Sequence, residues 1–191
     1  MVEHRTRYEA IVIGSSAGGL HALKQIFSGL DASFSLPVIV VQHMSADTEN
    51  YLPHYLNSLN TVKVKEADEK ETPQPGVAYV APPNYHLLME ADKTFTLSVE
   101  ERVNYARPSI DVLFETAAEV YREKLIGIIL TGANSDGALG LKRIKEMGGL
   151  AVVQDPAEAE SVAMPRSAIE HVSVDHVLKL NDIAIFLNHL S

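Results

Sequence analysis

The sequence predicts an α/β fold: a doubly wound, mostly parallel sheet with helices on both faces and an added antiparallel β-hairpin. Three observations predict it. Short, nearly continuous apolar runs alternate with helical stripes, which is typical of parallel strands covered on both faces. The first of these runs leads through G-S-S-A-G-G directly into a helix pattern. Residues 86–99 read HLLMEADKTFTLSV, the pattern of two strands around a tight turn.

Four apolar runs predict the buried strands, at residues 8–13, 36–42, 125–130 and 150–154. Shorter strands are predicted in the middle of the chain, at residues 62–65, 77–80, 86–90 and 95–99. The last two form the hairpin, which turns near residues 91–93. No repeat and no long linker interrupts the pattern, so residues 1–191 are expected to form one domain.

Apolar residues at helical spacing predict the helices that cover the sheet. The stripes comprise Leu20, Leu23, Ile26, Phe27 and Leu30; Tyr51, Leu52, Tyr55, Leu56 and Leu59; and Leu139, Leu141, Ile144 and Met147. Gly148 and Gly149 are expected to end the third helix. Asn181 is the predicted N-cap of a last helix at residues 182–190.

Composition excludes several classes of function. The chain has 191 residues, no cysteine and a net charge of −9 without a basic run. Cysteine chemistry and disulfides are therefore excluded, and nucleic acid is not an expected partner. No apolar run approaches the roughly 18 residues of a membrane span, and the start MVEHRTRYEA lacks a signal-peptide pattern. We expect a cytoplasmic, acidic monomer without membrane insertion.

Three reactive side chains follow three of the strong predicted strands. Ser16 lies in the glycine-rich turn after the first strand, His43 directly follows the second, and Asp136 lies in the loop after residues 125–130. The carboxyl ends of parallel strands share one edge of the sheet, where ligands bind in open α/β folds. The sequence therefore predicts that Ser16, His43 and Asp136 face one crevice.

The turn at Gly14–Gly18 has three possible roles. It fits G-x-S-x-G, in which a sharp turn lifts a serine hydroxyl to a helix N-terminus whose N–H groups bind an oxyanion. It could also bind a phosphate or serve only as a packing turn. The glycine spacing is not G-x-G-x-x-G and no P-loop lysine follows, which weakens the phosphate interpretation.

His43 and Asp136 also have ordinary structural interpretations. His43 could be a half-buried histidine at a strand end, and Asp136 with Ser135 could cap the helix that begins near Gly137. His86, at the start of the hairpin, is a second histidine that could reach the crevice. A serine needs an imidazole to take its proton, and the imidazole needs an acid to hold it. The combination therefore favours a serine–histidine–aspartate triad.

Several motifs, in this order, resemble the catalytic domain of the bacterial chemotaxis-receptor methylesterases, the CheB type. They are IGSSAGG, VVQHM, GVAYVAPPNYH, RPSIDVLF, GIILTGANSDGALG and the segment from Gln154-Asp155 to Met164-Pro165-Arg166. The resemblance implies a hydrolase of glutamate methyl esters on the cytoplasmic helices of methyl-accepting chemoreceptors, which can also deamidate glutamines. It implies no cofactor and no metal, and it assigns the nucleophile to Ser16, the base to His43 and the acid to Asp136.

The sequence departs from the family pattern at the crevice. The family commonly has T-G-M-G-x-D-G where this chain has T-G-A-N-S-D-G, so Ala133 replaces a methionine that borders the oxyanion site. Ala17 replaces the threonine that usually follows the nucleophile, and Ser15 lies where the family often has alanine. Backbone N–H groups near Ala17 and Ala133 are still the expected oxyanion donors. The first predicted strand begins at residue 8, so we do not expect the usual N-terminal receiver domain in this chain, and we expect either a stand-alone enzyme or a fragment of a longer protein.

Charged side chains indicate where a substrate could bind. Methylated receptor segments are acidic, so local cations must attract them to this acidic protein. The candidates are Arg102, Arg107, Lys142, Arg143 and Arg166, with the last three expected near the crevice. Two alternatives to the receptor methylesterase stay open: a binding or regulatory module of the same fold, and an esterase that acts on another methylated partner.

Overall fold

The computed structural model describes residues 8–44, 51–59 and 62–191. Seven parallel strands form the central sheet in the order β3-β4-β2-β1-β7-β8-β9. The strands are β1 Ala10–Ser15, β2 Val38–Gln42, β3 Lys63–Glu66, β4 Val77–Val80, β7 Leu125–Ile129, β8 Leu150–Gln154 and β9 His176–Leu178. The predicted doubly wound sheet is confirmed.

The predicted hairpin is also confirmed. Strands β5 (His86–Met89) and β6 (Phe95–Ser98) pair antiparallel with Leu87 opposite Leu97, and form a separate two-stranded sheet. Leu87 and Phe95 are fully buried and join the same apolar cluster as the helix at Ile110–Tyr121. The hairpin therefore covers part of one face of the central sheet.

The helices are α1 Gly19–Ser28, α2 Tyr51–Asn57, α3 Ile110–Tyr121, α4 Ala138–Glu146, α5 Ala163–His171 and α6 Leu180–Leu190, with a 3₁₀ turn at Arg122–Lys124. Side chains alternate along the strands, so that Ile11 and Ile13 pack with α1, α2 and α6 on one face. Ala10 and Val12 pack with α3, α4 and α5 on the other face. Both faces of the sheet are thus buried, which explains the continuous apolar runs.

Two local expectations are wrong. Strand β1 continues to Ser15, beyond the predicted end at residue 13, because Gly14 and Ser15 pair with Val41 and Gln42 of β2. Helix α6 begins at Leu180 with Lys179 as its N-cap, and Asn181 is not the cap. The Asn181 side chain instead accepts a hydrogen bond from Gln25 of α1, at 2.9 Å.

The chain reverses its winding direction at β1. Strand β1 lies between β2 and β7, so the connections that follow it run toward both edges of the sheet. In open α/β sheets this switch point leaves a crevice at the carboxyl ends of the strands. Among the described residues, no helix is both long and apolar enough to cross a membrane.

Candidate active site

A cleft of about 410 Å³ opens at the carboxyl ends of β1, β2 and β7. Its wall includes Ser16, His43 and six further polar side chains, which are Asn84, Arg102, Asn104, Tyr105, Arg107 and Asn134. Asp136 is completely buried behind His43. The three side chains predicted from the strand ends therefore do come together at one place.

The turn after β1 presents Ser16, which is half-buried, at the cleft. The Ser16 N–H donates to the Thr131 carbonyl at 3.0 Å, and Gly19 N–H donates back to the Ser16 carbonyl at 2.8 Å. Gly18 has φ +79°, a conformation that side chains disfavour. A Cβ on Gly19 would overlap the Gln42 side chain, so the tight turn requires glycine there.

Gln42 ties the ends of β1 and β2 together. Its amide nitrogen donates to the carbonyls of Ser16 and His43, at 2.9 and 2.8 Å. Its amide oxygen accepts from the buried Ser15 hydroxyl at 2.6 Å. The backbones of Ser16 and His43 are therefore held at a fixed spacing by one side chain.

Asp136 binds the ring of His43, with Oδ2 at 2.8 Å from Nε2. Its carboxylate also accepts hydrogen bonds from Asn104 Nδ2, Ser109 Oγ and the N–H groups of Ile110 and Asp111, at 2.7 to 3.1 Å. Burial opposes the charged form, but the hydrogen bonds from His43, Asn104 and the two backbone groups outweigh it. Together they hold the pKa of Asp136 below its ordinary value.

The alternative interpretation of Asp136, as a cap of the helix after Gly137, is wrong. Its carboxylate instead accepts from Ile110 and Asp111, the first residues of α3, where a negative charge is favourable. The N-terminus of α4 is served by Asp111, whose Oδ1 accepts from Gly140 N–H at 2.7 Å. Burial and the charge of Asp136 raise the pKa of Asp111.

Asn134 contacts the other side of the His43 ring. Its Nδ2 lies 3.3 Å from His43 Nδ1, and its Oδ1 accepts from Asp136 N–H at 3.0 Å. The Ser16 hydroxyl forms no hydrogen bond with His43 or with any other residue of the described part of the chain. Both nitrogens of the ring therefore have partners, and neither partner is Ser16.

Ala17 and Ala133, the expected oxyanion donors, are both exposed. Ala17 follows Ser16 and Ala133 precedes Asn134, which are two residues of the cleft wall. Within residues 8–44, 51–59 and 62–191, neither backbone N–H donates a hydrogen bond. Both N–H groups are thus without an acceptor in this part of the chain, although neither alanine lines the cleft itself.

Of the predicted substrate-binding cations and His86, only two arginines line the cleft. Arg102 and Arg107 line the cleft, whereas Lys142, Arg143 and Arg166 are not part of its wall. The Arg143 guanidinium pairs with Glu119 and Glu146 on the surface. His86 is buried and does not line the cleft either, because its ring binds Glu101 O at 2.9 Å and Ser109 N at 3.2 Å.

Three residues that hold the site were not predicted from the sequence. They are Asn104, Ser109 and Asn134. A signal for Asn134 does exist, since it is one of the departures within T-G-A-N-S-D-G. In the described part of the chain, no group of three or more histidine, aspartate or glutamate side chains could hold a metal ion.

The fold and the cleft define a doubly wound α/β protein whose polar site lies at the switch point of the sheet. The family can be stated more narrowly. The family model described as CheB methylesterase matches residues 11–187, and the chain belongs to this family.

Known relatives agree. A Leptospira interrogans protein, provisionally named protein-glutamate methylesterase/protein-glutamine glutaminase, is 63% identical over 177 residues, which cover 93% of this chain and 92% of the relative. A Thermotoga maritima protein with the same activities in its name is 37% identical over 171 residues, which cover 88% of this chain and 50% of that protein. The chain thus spans about half the length of this second relative.

A solved structure is similar over nearly the whole chain. The crystal structure of the Thermotoga maritima CheB methylesterase catalytic domain matches with a TM-score of 0.92 and 36% sequence identity. The match covers 96% of this chain and 99% of the other. The resemblance inferred from the sequence motifs is therefore confirmed at the level of both family and fold.

Proposed function

We propose that this protein is a protein-glutamate methylesterase acting on chemoreceptor helices, with Ser16 as nucleophile, His43 as general base and Asp136 as the acid that orients it. The observation that carries the proposal is the 2.8 Å contact between His43 and the buried Asp136 in a cleft that Ser16 also lines. This arrangement contains the three roles that acyl transfer through serine needs.

Acylation begins when the Ser16 hydroxyl gives its proton to His43. Because Nε2 faces Asp136, the accepting nitrogen is Nδ1. Ser16 Oγ forms a bond to the ester carbonyl carbon, and the oxyanion is bound by the free N–H groups of Ala17 and Ala133. The bond to the methoxy oxygen then breaks, and that oxygen takes the proton from His43 and leaves as methanol.

Deacylation repeats the proton transfers with water. His43 takes a proton from a water molecule, which attacks the acyl carbon, and the proton passes to Ser16 Oγ as the acyl bond breaks. A glutamate carboxylate remains on the substrate. The same steps on a glutamine side chain release ammonia, which accounts for the second activity in the names of the relatives.

The cleft supports an acidic protein segment as the substrate. Arg102 is exposed at the cleft wall and forms no ion pair within the described residues. Arg107 is already bound to the carbonyls of Val99 and Glu100, at 2.8 and 2.9 Å, so it shapes the wall. Arg102 is therefore the cation best placed to attract acidic residues beside the methyl ester.

A binding module without chemistry is the second candidate. The observation that favours it is the contact of Asn134 with His43 Nδ1, which leaves Ser16 without a hydrogen bond to its base. An esterase with a methylated substrate outside chemotaxis is a third candidate, which uses the same residues and differs only in its partner.

Covalent labelling separates the hydrolase from the binding module. We expect a fluorophosphonate probe to modify the protein at Ser16, mapped by peptide mass spectrometry, and the Ser16→Ala variant to stay unmodified at the same concentration. Ser135→Ala is the matched control, because Ser135 is exposed, forms no side-chain hydrogen bond with a described residue, and its loss should leave labelling in place. An unlabelled Ser16 in the folded protein would favour the binding module.

A further inference from the structure

The Asn134 side chain connects two residues of the proposed triad. Its Oδ1 accepts from the backbone N–H of Asp136 at 3.0 Å, and its Nδ2 lies 3.3 Å from His43 Nδ1. The first bond fixes the orientation of the amide, because only the oxygen can accept a hydrogen bond from an N–H group. The group that faces the ring is therefore a donor.

This donor determines the tautomer of His43. An amide nitrogen cannot accept a hydrogen bond, so His43 Nδ1 must carry the lone pair. The ring proton is then on Nε2, where it faces Asp136 Oδ2 at 2.8 Å. Asn134 and Asp136 thus favour the same tautomer from opposite sides of the ring.

The same contact restrains the nucleophile. A neutral imidazole has one lone pair in the ring plane, and in this structure Asn134 binds it. Ser16 needs that lone pair to give up its proton, and its hydroxyl makes no hydrogen bond within the described residues. Asn134 and Ser16 are therefore competitors for His43 Nδ1.

We infer that Asn134 is a positioning residue that keeps His43 in the Nε2–H tautomer and, in the absence of substrate, occupies the nitrogen that Ser16 must reach. The inference rests on the proposed function. The contact of Asn134 with His43 makes Ser16 less reactive in the free protein than it would be with the triad alone. The Asn134 amide must therefore leave His43 Nδ1 before acylation. The 3.3 Å separation is long for a hydrogen bond, so this contact is weaker than the 2.8 Å contact of Nε2 with Asp136.

The decisive variant removes the donor and keeps the turn. In Asn134→Ser, the serine hydroxyl can still accept from the N–H two residues along the chain, but it is too short to reach the ring. Asn134→Ala is the second variant, because alanine also removes the amide and has no hydroxyl group that could form a new hydrogen bond. Ser135→Ala is the matched control, since Ser135 is exposed and forms no side-chain hydrogen bond with a described residue.

The measurement is the second-order rate of Ser16 labelling by a fluorophosphonate. A neutral hydrogen bond of ordinary strength predicts a rate about two- to tenfold higher in both Asn134 variants, with Ser135→Ala unchanged. In the Ser16→Ala background, the ¹⁵N resonance of His43 Nδ1 should move to higher frequency when Asn134 is replaced, because the ring nitrogen loses its donor and no Ser16 hydroxyl can take its place. A merely structural role for Asn134 would not produce this shift.

Two results would contradict the inference, and only one of them would also contradict the proposed function. Labelling at Ser16 that is equal or slower in folded Asn134 variants overturns the competition and leaves the proposed function standing. The absence of labelling in every protein overturns the assignment of Ser16 as nucleophile, and the competition with it.

Discussion

Asn104 links the two buried carboxylates to the loop that walls the cleft. Its Nδ2 donates to Asp111 Oδ2 at 2.7 Å and to Asp136 Oδ1 at 2.8 Å. Two carboxylates this close would otherwise repel each other, and each amide hydrogen stabilises one of them. We therefore interpret Asn104 as a residue that allows Asp136 to remain charged behind His43.

Removal of this amide should lower stability at neutral pH. Glycine suits the left-handed backbone of Asn104, which has φ 53°, so Asn104→Gly deletes the side chain without adding strain. We expect unfolding free energy to fall by about 2 kcal/mol at pH 7, the size of hydrogen bonds to a buried charge. Urea unfolding measures it. Tyr105→Gly is the matched control, because Tyr105 has φ 63° and its side chain is 96% exposed.

The pH dependence distinguishes this charge effect from simple loss of loop contacts. Folding lowers the pKa of Asp136, so the charged carboxylate stabilises the folded protein. This stabilisation is complete above the ordinary carboxyl pKa and is lost as the pH falls through the pKa of the folded state. Asn104→Gly raises that folded value. The difference in unfolding free energy between the wild type and Asn104→Gly should therefore narrow as pH falls below about 4. A difference that stays constant with pH would contradict the role of Asn104 in holding the charge.

The three side chains that meet at the cleft could be predicted from the sequence, whereas the residues that support them could not. Ser16, His43 and Asp136 follow strands, and strand ends converge on one edge of a parallel sheet. Asn104 lies in a loop between β6 and α3, where nothing in the local pattern indicates its distant partners. Such side-chain contacts depend on how the loop returns to the sheet, which the sequence pattern does not encode.

At the scale of elements, helix α4 approaches β7 unusually closely. A Cβ on Gly127 of β7 would lie 2.5 Å from Ile144 Cδ1 and 2.9 Å from Leu141 Cδ1. All three residues belong to the same side of the sheet, and Leu141 and Ile144 are fully buried. The close packing positions α4, and with it the loop that carries Asn134 and Asp136.

Gly127→Ala should destabilise the protein by about 1–3 kcal/mol, because the added methyl group overpacks this contact. Ile144→Val removes the nearest atom and should cost about 1 kcal/mol alone. The double variant should lose less unfolding free energy than the sum of the losses in the two single variants. Chemical denaturation of the wild type, both single variants and the double variant measures these values. Simple additivity would show that β7 and α4 are not in the contact described.

The stripes predicted for the helices are correct in part. Leu141 and Ile144 are buried as the α4 pattern predicts, whereas Leu139 is 56% exposed. Leu139 lies next to the helix N-terminus, on the side turned away from the sheet. Apolar spacing therefore identified the helix but not every residue that packs, because side chains in a first turn extend beyond the covered surface.

At the scale of the whole molecule, the order of the strands creates the site. Central strand β1 has β2 on one side and β7 on the other, so the loops that carry Ser16, His43 and Asp136 are spatial neighbours. The fold class and the hairpin were predictable from alternating patterns alone. The addition of β3 and β4 to the parallel sheet was not, because it depends on the pairing of β4 with β2, which is remote in sequence, and β3 joins the sheet only through β4.

The measurement that tests the central claim most directly is methanol release from a methylated chemoreceptor cytoplasmic fragment. The protein should release methanol, and Ser16→Ala should reduce release to the background of the fragment alone while keeping the fold, checked by circular dichroism. Loss of at least a thousandfold is the order expected on removal of a triad nucleophile. Equal release by the wild type and by Ser16→Ala would contradict the assignment of Ser16 as the nucleophile.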